Sequence, residues 1–192
     1  PYTCVLDRPG KRVAILTPWA VFLYRISGEA LWKATVETYG ALPSLAFSEN
    51  NLIWLATEAP RTQIMALTVD GEKVSRTSAA SSDVELIGGD GDSVIVLGRG
   101  TNQLMCMDRS GFVEAEQELA EPAMSVERVA PDLVATVGVG HVEVFESATL
   151  KPRGLLEYPF PEETAYFCRA GLYQIAELPA GSRIRHSRIT NI

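Results

Sequence analysis

The sequence predicts an all-β chain that is built from one repeated unit of about forty residues. In each copy, an apolar strand is followed by a polar break, a second apolar strand, a turn and a half-polar strand. The first of these strands fall at residues 13–16, 52–55, 94–97, 133–136 and 165–168, so their starts are 39, 42, 39 and 32 residues apart. Short strands at this period are typical of β-propeller blades, and we therefore predict a propeller of about five blades.

Glycine marks the hairpin turn that follows the second apolar strand in four of the five units. The pairs Ser27-Gly28, Asp70-Gly71 and Ser110-Gly111 are examples, and glycine suits them because such turns need a positive φ. The fourth unit has residues 147–150 in this place, without glycine. There we expect either a right-handed helical turn or a longer loop.

We expect a single domain over residues 1–192, because no linker or low-complexity segment divides the chain. Each unit adds a short strand before the first apolar one, which makes it a four-stranded antiparallel meander. The predicted units cover about residues 4–40, 43–81, 82–122, 123–161 and 162–192. A closed five-bladed ring is the preferred arrangement, since an open array would expose apolar faces at both ends. Part of a larger propeller is the alternative.

The second hairpin of the first unit carries a recognisable repeat motif. Residues 21–32 combine an apolar strand, a Gly28-Glu29 turn and Trp32, and Asp70-Gly71-Glu72 repeats the turn in the next unit. This pattern resembles the propeller repeats of the pyrroloquinoline-quinone-like class, with blades broadly like those of WD-repeat proteins. The Trp-Asp pair of true WD repeats is absent. The resemblance implies a propeller scaffold and no specific family.

Composition and charge argue against two classes of partner. The chain has 192 residues, of which 46% are hydrophobic and 21% charged, and its net charge is −7. An acidic domain repels the phosphate backbone, so we expect no nucleic-acid binding. No run of apolar residues approaches the 18 needed to cross a bilayer, so we expect no membrane span.

The cysteines indicate a reducing compartment. Cys4, Cys106 and Cys168 lie far apart, and the last two fall inside apolar strands, where cysteine packs as a small hydrophobe. We therefore expect a cytoplasmic protein. Because the sequence opens at Pro1 without methionine, we also expect a processed or truncated N-terminus, which leaves secretion open.

No catalytic or metal-binding signature is present in the sequence. The chain has two histidines, His141 and His186, and neither lies in a nucleophile motif or at metal-ligand spacing. The glycine- and aspartate-rich segment 88–92 lacks the later ligands of a calcium loop and is interpreted as a tight turn. We expect no catalytic residue, no metal, no cofactor and no enzymatic activity.

The loops between the second and third strands carry the candidate binding residues. Such loops share one rim of a propeller, and here they contain Trp19, Arg61, Arg99, His141 and Arg169. A ring of Arg61, Arg99, His141 and Arg169 is suited to an acidic peptide or another anion on a protein partner; the alternative is that they are solvated surface residues. We predict a protein-interaction scaffold that binds through this loop face or an exposed blade edge. The alternative function is a small-ligand or enzymatic propeller with its site in the central channel.

Overall fold

The computed structural model describes residues 3–36, 44–59, 61–158, 164–168, 171–178 and 181–187. Within them, blade 1 contains β1 (Thr3–Leu6), β2 (Arg12–Leu16), β3 (Ala20–Arg25) and β4 (Ala30–Thr35). Blade 2 contains β5 (Ser44–Phe47), β6 (Ile53–Ala59), β7 (Arg61–Leu67) and β8 (Lys73–Ser78). Blade 3 contains β9 (Val84–Gly88), β10 (Val94–Gly98), a 3-10 turn (Arg99–Thr101), β11 (Gln103–Met107) and β12 (Val113–Glu118).

The last two blades continue the same order of strands. Blade 4 contains β13 (Ala123–Ala130), β14 (Leu133–Gly138), β15 (His141–Glu146) and β16 (Pro152–Glu157). Blade 5 contains β17 (Thr164–Cys168), β18 (Gly171–Leu178) and β19 (Gly181–Ser187). Every sheet is an antiparallel meander in sequence order, so the predicted all-β propeller architecture is confirmed. The fifth sheet has three strands among the described residues, where four were predicted. Its strand β17 contacts β13 and is the innermost strand of blade 5, so the alignment of residues 165–168 with β2, β6, β10 and β14 is wrong by one strand.

Burial follows the position of a strand within its blade. The strand β10 is buried along its whole length, because neighbouring blades cover both of its faces. The outer strand β12 alternates between half-buried and exposed residues, as expected when one face meets solvent. None of the described segments is a helix of the length and apolarity that a bilayer crossing requires.

Four apolar clusters fill the spaces between successive blades. The cluster between blades 1 and 2 includes Leu16, Leu23 and Leu55, all fully buried, and the one between blades 2 and 3 is centred on Trp54. Each sheet is thus too thin to bury its own apolar side chains and depends on the next sheet to cover them.

A tryptophan of blade 1 is docked onto the hairpin turn of blade 2. The Trp32 indole nitrogen donates a hydrogen bond to the Val69 carbonyl, and its ring lies over Gly71, where a Cβ atom would stand 3.1 Å from the ring. Gly71 also has a φ of 84°, which disfavours any side chain. One blade on, the turn glycine Gly111 lies beside smaller side chains, those of Ser75 and Thr77.

The glycine-free turn of blade 4 is a longer loop, which is one of the two expected alternatives. Glu146 and Lys151 are joined across it by a backbone hydrogen bond of 3.0 Å, so four residues lie between them, whereas the equivalent turns of blades 1, 2 and 3 have three. Leu150 takes a left-handed conformation with φ of 54° and is fully buried. Burial of this side chain offsets the cost of its backbone conformation.

The segment 88–92 is the predicted tight turn, and it also anchors blade 4 to blade 3. Arg128 donates to the Gly88 carbonyl at 2.7 Å and pairs with the Asp90 carboxylate. The Ser147 hydroxyl donates to the other Asp90 oxygen at 2.6 Å. These charge-assisted contacts hold the two blades together at the turn face, which is the face of the arc opposite to the loop face.

The blades form an open arc. Their innermost strands contact in the order β1, β5, β9, β13 and β17, and no comparable contact joins β17 to β1 in the part of the chain that the structure describes. Leu6 of β1 and Ile184 of β19 are 57% and 65% exposed. Among the described residues the preferred closed ring is therefore not formed, and the alternative, part of a larger propeller, fits them better. Side chains between the sheets set the angle at each interface. Whether the ring closes depends on the sum of four such angles, which the pattern of apolar and polar residues within a blade does not encode.

Blades 2 and 3 approach so closely at Gly88 that no larger residue fits. A Cβ atom there would lie 1.8 Å from the Phe47 carbonyl oxygen, which belongs to the backbone of the adjacent innermost strand. The substitution Gly88→Ala should lower the free energy of unfolding by about 2 kcal/mol or more, because the sheets must separate. Urea denaturation followed by circular dichroism measures this loss.

The matched control is Gly154→Ala in the outer strand of blade 4, where a Cβ atom would meet nothing within 4 Å. We expect that change to be neutral or to stabilise by up to about 1 kcal/mol. Equal stabilities for the two variants would show that the blades are not in close contact at Gly88.

Candidate partner-binding face

The loop face is the rim formed by the connections between the second and third strands of the blades. Trp19 lies in the first of these connections and is 73% exposed. Its backbone carbonyl accepts a hydrogen bond of 2.9 Å from Val36, and the Thr17 hydroxyl bonds the amide of Ala20 at 3.0 Å. The turn is therefore held by its backbone, while the indole remains available to a partner.

Two of the predicted ring residues are described only in part or not at all. Arg61 begins β7, but its side chain is not among the described parts of the chain. Arg169 lies wholly outside the described residues. The predicted ring of Arg61, Arg99, His141 and Arg169, with Trp19 beside it, therefore stays a prediction.

Arg99 is fully engaged in contacts within the arc. Its guanidinium lies 3.0 Å from the Asp83 carboxylate and 2.7 Å from that of Glu85. The Nε atom donates to the Met124 carbonyl in blade 4 at 2.6 Å. Arg99 therefore joins blades 3 and 4 at the loop face, and two carboxylates already balance its charge.

His141 begins β15 and is 8% exposed. Its ring packs on Gly138, where a Cβ atom would stand 2.0 Å from the ring, and Nδ1 lies 3.3 Å from the Val139 carbonyl. The Nε2 atom is buried and has no hydrogen-bond partner among the described residues. This burial makes His141 a packing residue of blade 4 and keeps it from the surface.

A cavity of about 510 Å³ opens at the loop face between blades 3, 4 and 5. Its lining combines two carboxylates with exposed apolar side chains; the lining residues that matter most are Glu85, Glu127, Met124, Val139, Tyr158 and Tyr166. Among the apolar lining residues, Met124 and Val139 are 61% and 63% exposed, and Tyr166 of blade 5 is 51% exposed. The hydroxyl of buried Tyr158 donates to the Gly138 carbonyl and so fixes one wall.

The two carboxylates differ in how their charge is balanced. Burial raises the pKa of Glu85, although the charge and hydrogen bond of Arg99 oppose this effect. Burial also raises the pKa of Glu127, and the nearby charge of Glu85 adds to the rise. Among the described residues, no cation pairs with Glu127. The cavity thus holds a partly desolvated carboxylate that favours a cationic guest.

Sequence reasoning missed this cavity, although one signal for it was present. Glu85 and Glu127 each follow a valine in the innermost strands β9 and β13, and they stand 42 residues apart, which is one repeat. A charged residue at the same place in adjacent blades indicates a shared surface. The exposed residues around them come from blades 4 and 5 and share no sequence pattern. No group of three or more His, Cys, Asp or Glu side chains in the described ranges has the arrangement of a metal site.

No protein-family model and no curated protein matches this sequence. Solved structures do resemble it. BamB from Moraxella catarrhalis has a TM-score of 0.66 at 15% identity, with 90% of this chain and 60% of BamB covered. The Pan2 WD40 domain of Neurospora crassa has a TM-score of 0.63 at 14% identity, covering 93% and 63%.

U3-55K has a TM-score of 0.68 at 12% identity, with 95% of this chain and 61% of that protein covered. The chain therefore spans about 60% of the length of these structures. At such identities the likeness concerns the fold alone, and the fold that these structures share with this chain is the β-propeller.

Proposed function

We propose that this chain is a non-enzymatic scaffold that binds a protein partner at the cavity of its loop face. The partner segment would place a lysine or arginine side chain on Glu127 and rest apolar residues on the surrounding rim. The observation that supports this proposal is the coincidence of a carboxylate that no described cation balances with the exposed Met124 and Val139.

The chemistry of the rim suits a protein better than a small polar ligand. Exposed apolar side chains of this size stabilise a complex when a partner covers them, and a central charged pair adds specificity. A lysine or arginine stem is itself apolar, so one side chain can satisfy both the rim and the carboxylate. The site is therefore suited to a partner segment in which a basic residue is flanked by apolar ones.

A second cavity, of about 560 Å³, lies on the opposite face near the hairpin turns of blades 1 and 2. Two of its arginines are paired: Arg12 donates to Asp7 at 2.7 Å, and Arg25 pairs with Glu29 at 2.9 Å. The other charged lining residues, Lys11 and Asp70, are exposed and opposite in sign, so the loop-face cavity, with its partly buried carboxylate, is the better candidate.

Binding of an acidic peptide by the predicted cationic ring is a second and weaker proposal. Arg99 is paired with two carboxylates and His141 is buried, so neither contributes much positive potential to the rim. We also propose a cytoplasmic location, which the free thiols of Cys4 and Cys106 support.

Removal of the exposed rim should abolish capture of the partner. We expect the double substitution Met124→Ser and Val139→Ser to weaken binding at least tenfold, since buried apolar anchors contribute about 1–2 kcal/mol each. Quantitative affinity capture from cells, with the wild-type chain and the variant compared by mass spectrometry, measures the loss.

The matched control is Phe112→Ser, because Phe112 is 70% exposed in a hairpin turn on the opposite face. Its capture profile should equal that of the wild type. If the control loses the same partners and the rim variant keeps them, binding occurs on the turn face and the proposal is wrong.

Glu127→Gln should weaken partner binding yet stabilise the free chain at alkaline pH. The raised folded-state pKa means that the ionised carboxylate destabilises the fold as pH rises through that pKa, whereas glutamine stays neutral. Since Glu127 is only half-buried, solvent screening keeps the gain in Tm to the order of 2 °C at pH 8. Below the unfolded-state pKa both forms are neutral, so the gain should disappear. Thermal melts at pH 4 and pH 8 test this, and a gain that is equal at both pH values would contradict it.

A further inference from the structure

The face of blade 1 that points away from blade 2 is apolar and incompletely covered. Strand alternation places six residues on it: Cys4, Leu6, Val13, Ile15, Phe22 and Tyr24. Leu6 is 57% exposed, Cys4 is exposed, and the other four are half-buried. Soluble proteins rarely leave a contiguous apolar sheet face of this kind in water.

This face repeats, position by position, a face that is buried elsewhere in the arc. The cross-strand row Leu6–Val13–Tyr24 corresponds to Phe47–Ile53–Leu67 in blade 2, and the row Cys4–Ile15–Phe22 corresponds to Leu45–Leu55–Met65. The blade 2 rows pack against blade 1, where Ile53 and Leu55 are fully buried. The outer face of blade 1 therefore has the side-chain pattern that another blade covers.

Blade 5 ends the arc in a similar way. Tyr166 and Ile184 point away from blade 4 and are 51% and 65% exposed. On the same face, Tyr173 stacks on His186 with ring centroids 4.5 Å apart. Both ends of the arc thus present large side chains where an adjacent sheet would lie.

The length of the similar propellers indicates how much is needed to cover both ends. The chain matches 60% to 63% of their length, which corresponds to rings of about seven or eight blades. The gap therefore has room for two or three blades, and a second five-bladed copy is too large for it. In those similar structures, the unmatched part belongs to the same chain.

We propose that the outer faces of blades 1 and 5 are inter-blade contacts that two or three further four-stranded blades of the same polypeptide cover in the intact protein. Blades on one polypeptide have a high effective concentration at the two faces, so the contacts need not be strong by themselves. This inference does not depend on the partner-binding cavity, which faces the loop side of the arc.

The alkylation rate of Cys4 measures whether the outer face of blade 1 is covered. The native polypeptide can be isolated from its own cells with an antibody against the described blades, and its length measured by mass spectrometry. We expect a length that exceeds 192 residues by roughly 80 to 130, at about 40 residues per blade. Alkylation of Cys4 by N-ethylmaleimide should be at least about tenfold slower than in the 192-residue chain.

Cys106 is the internal control, because it is 2% exposed and should react slowly in both proteins. A native polypeptide of 192 residues would overturn the proposal; if its Cys4 were protected, a second copy or a separate protein would be the occupant. A longer polypeptide in which Cys4 reacts at the unchanged rate would overturn it too, since the face would be open.

A pair of equivalent substitutions tests the same face in the 192-residue chain. Ile15→Ser should change Tm by less than about 3 °C, because the face is open, whereas Leu55→Ser at the equivalent buried position should lower Tm by about 10 °C or prevent folding. An equal loss for Ile15→Ser would mean that the isolated chain already covers this face, and would overturn the proposal.

Discussion

The whole structure depends on one constraint, which is that each blade is a single sheet with two apolar faces. A sheet of three or four strands cannot bury both faces by itself, so stability arises between blades. The four apolar clusters lie at these interfaces. Close contacts then fix the angle between sheets: Gly88 lets two backbones approach, and Trp32 packs on Gly71.

Polar contacts at the two faces of the arc complete the alignment of blades 3 and 4. Arg128 ties them at the turn face, and Arg99 ties them at the loop face through the Met124 carbonyl. The same arginine balances Glu85 and leaves Glu127 without a cation among the described residues. The framework contacts therefore also create the charge imbalance that makes the cavity a candidate site.

Much of the architecture was predictable because it is encoded locally. The apolar strands, the Gly28 and Gly71 turns and the repeat period all follow from side-chain alternation and backbone freedom. The candidate site was not predictable to the same extent. Arg99 was expected to face a partner, but its partners Asp83 and Glu85 lie across a hairpin, and the burial of His141 depends on Gly138.

The sequence by itself determined the strands, the turns and the antiparallel order within each blade, since these depend on residues close together in the chain. Only the tertiary structure decided that the blades form an open arc and that Glu85, Glu127, Met124 and Tyr166 line one cavity. Those features come from the angles between sheets, which many packed side chains set together and no single segment encodes.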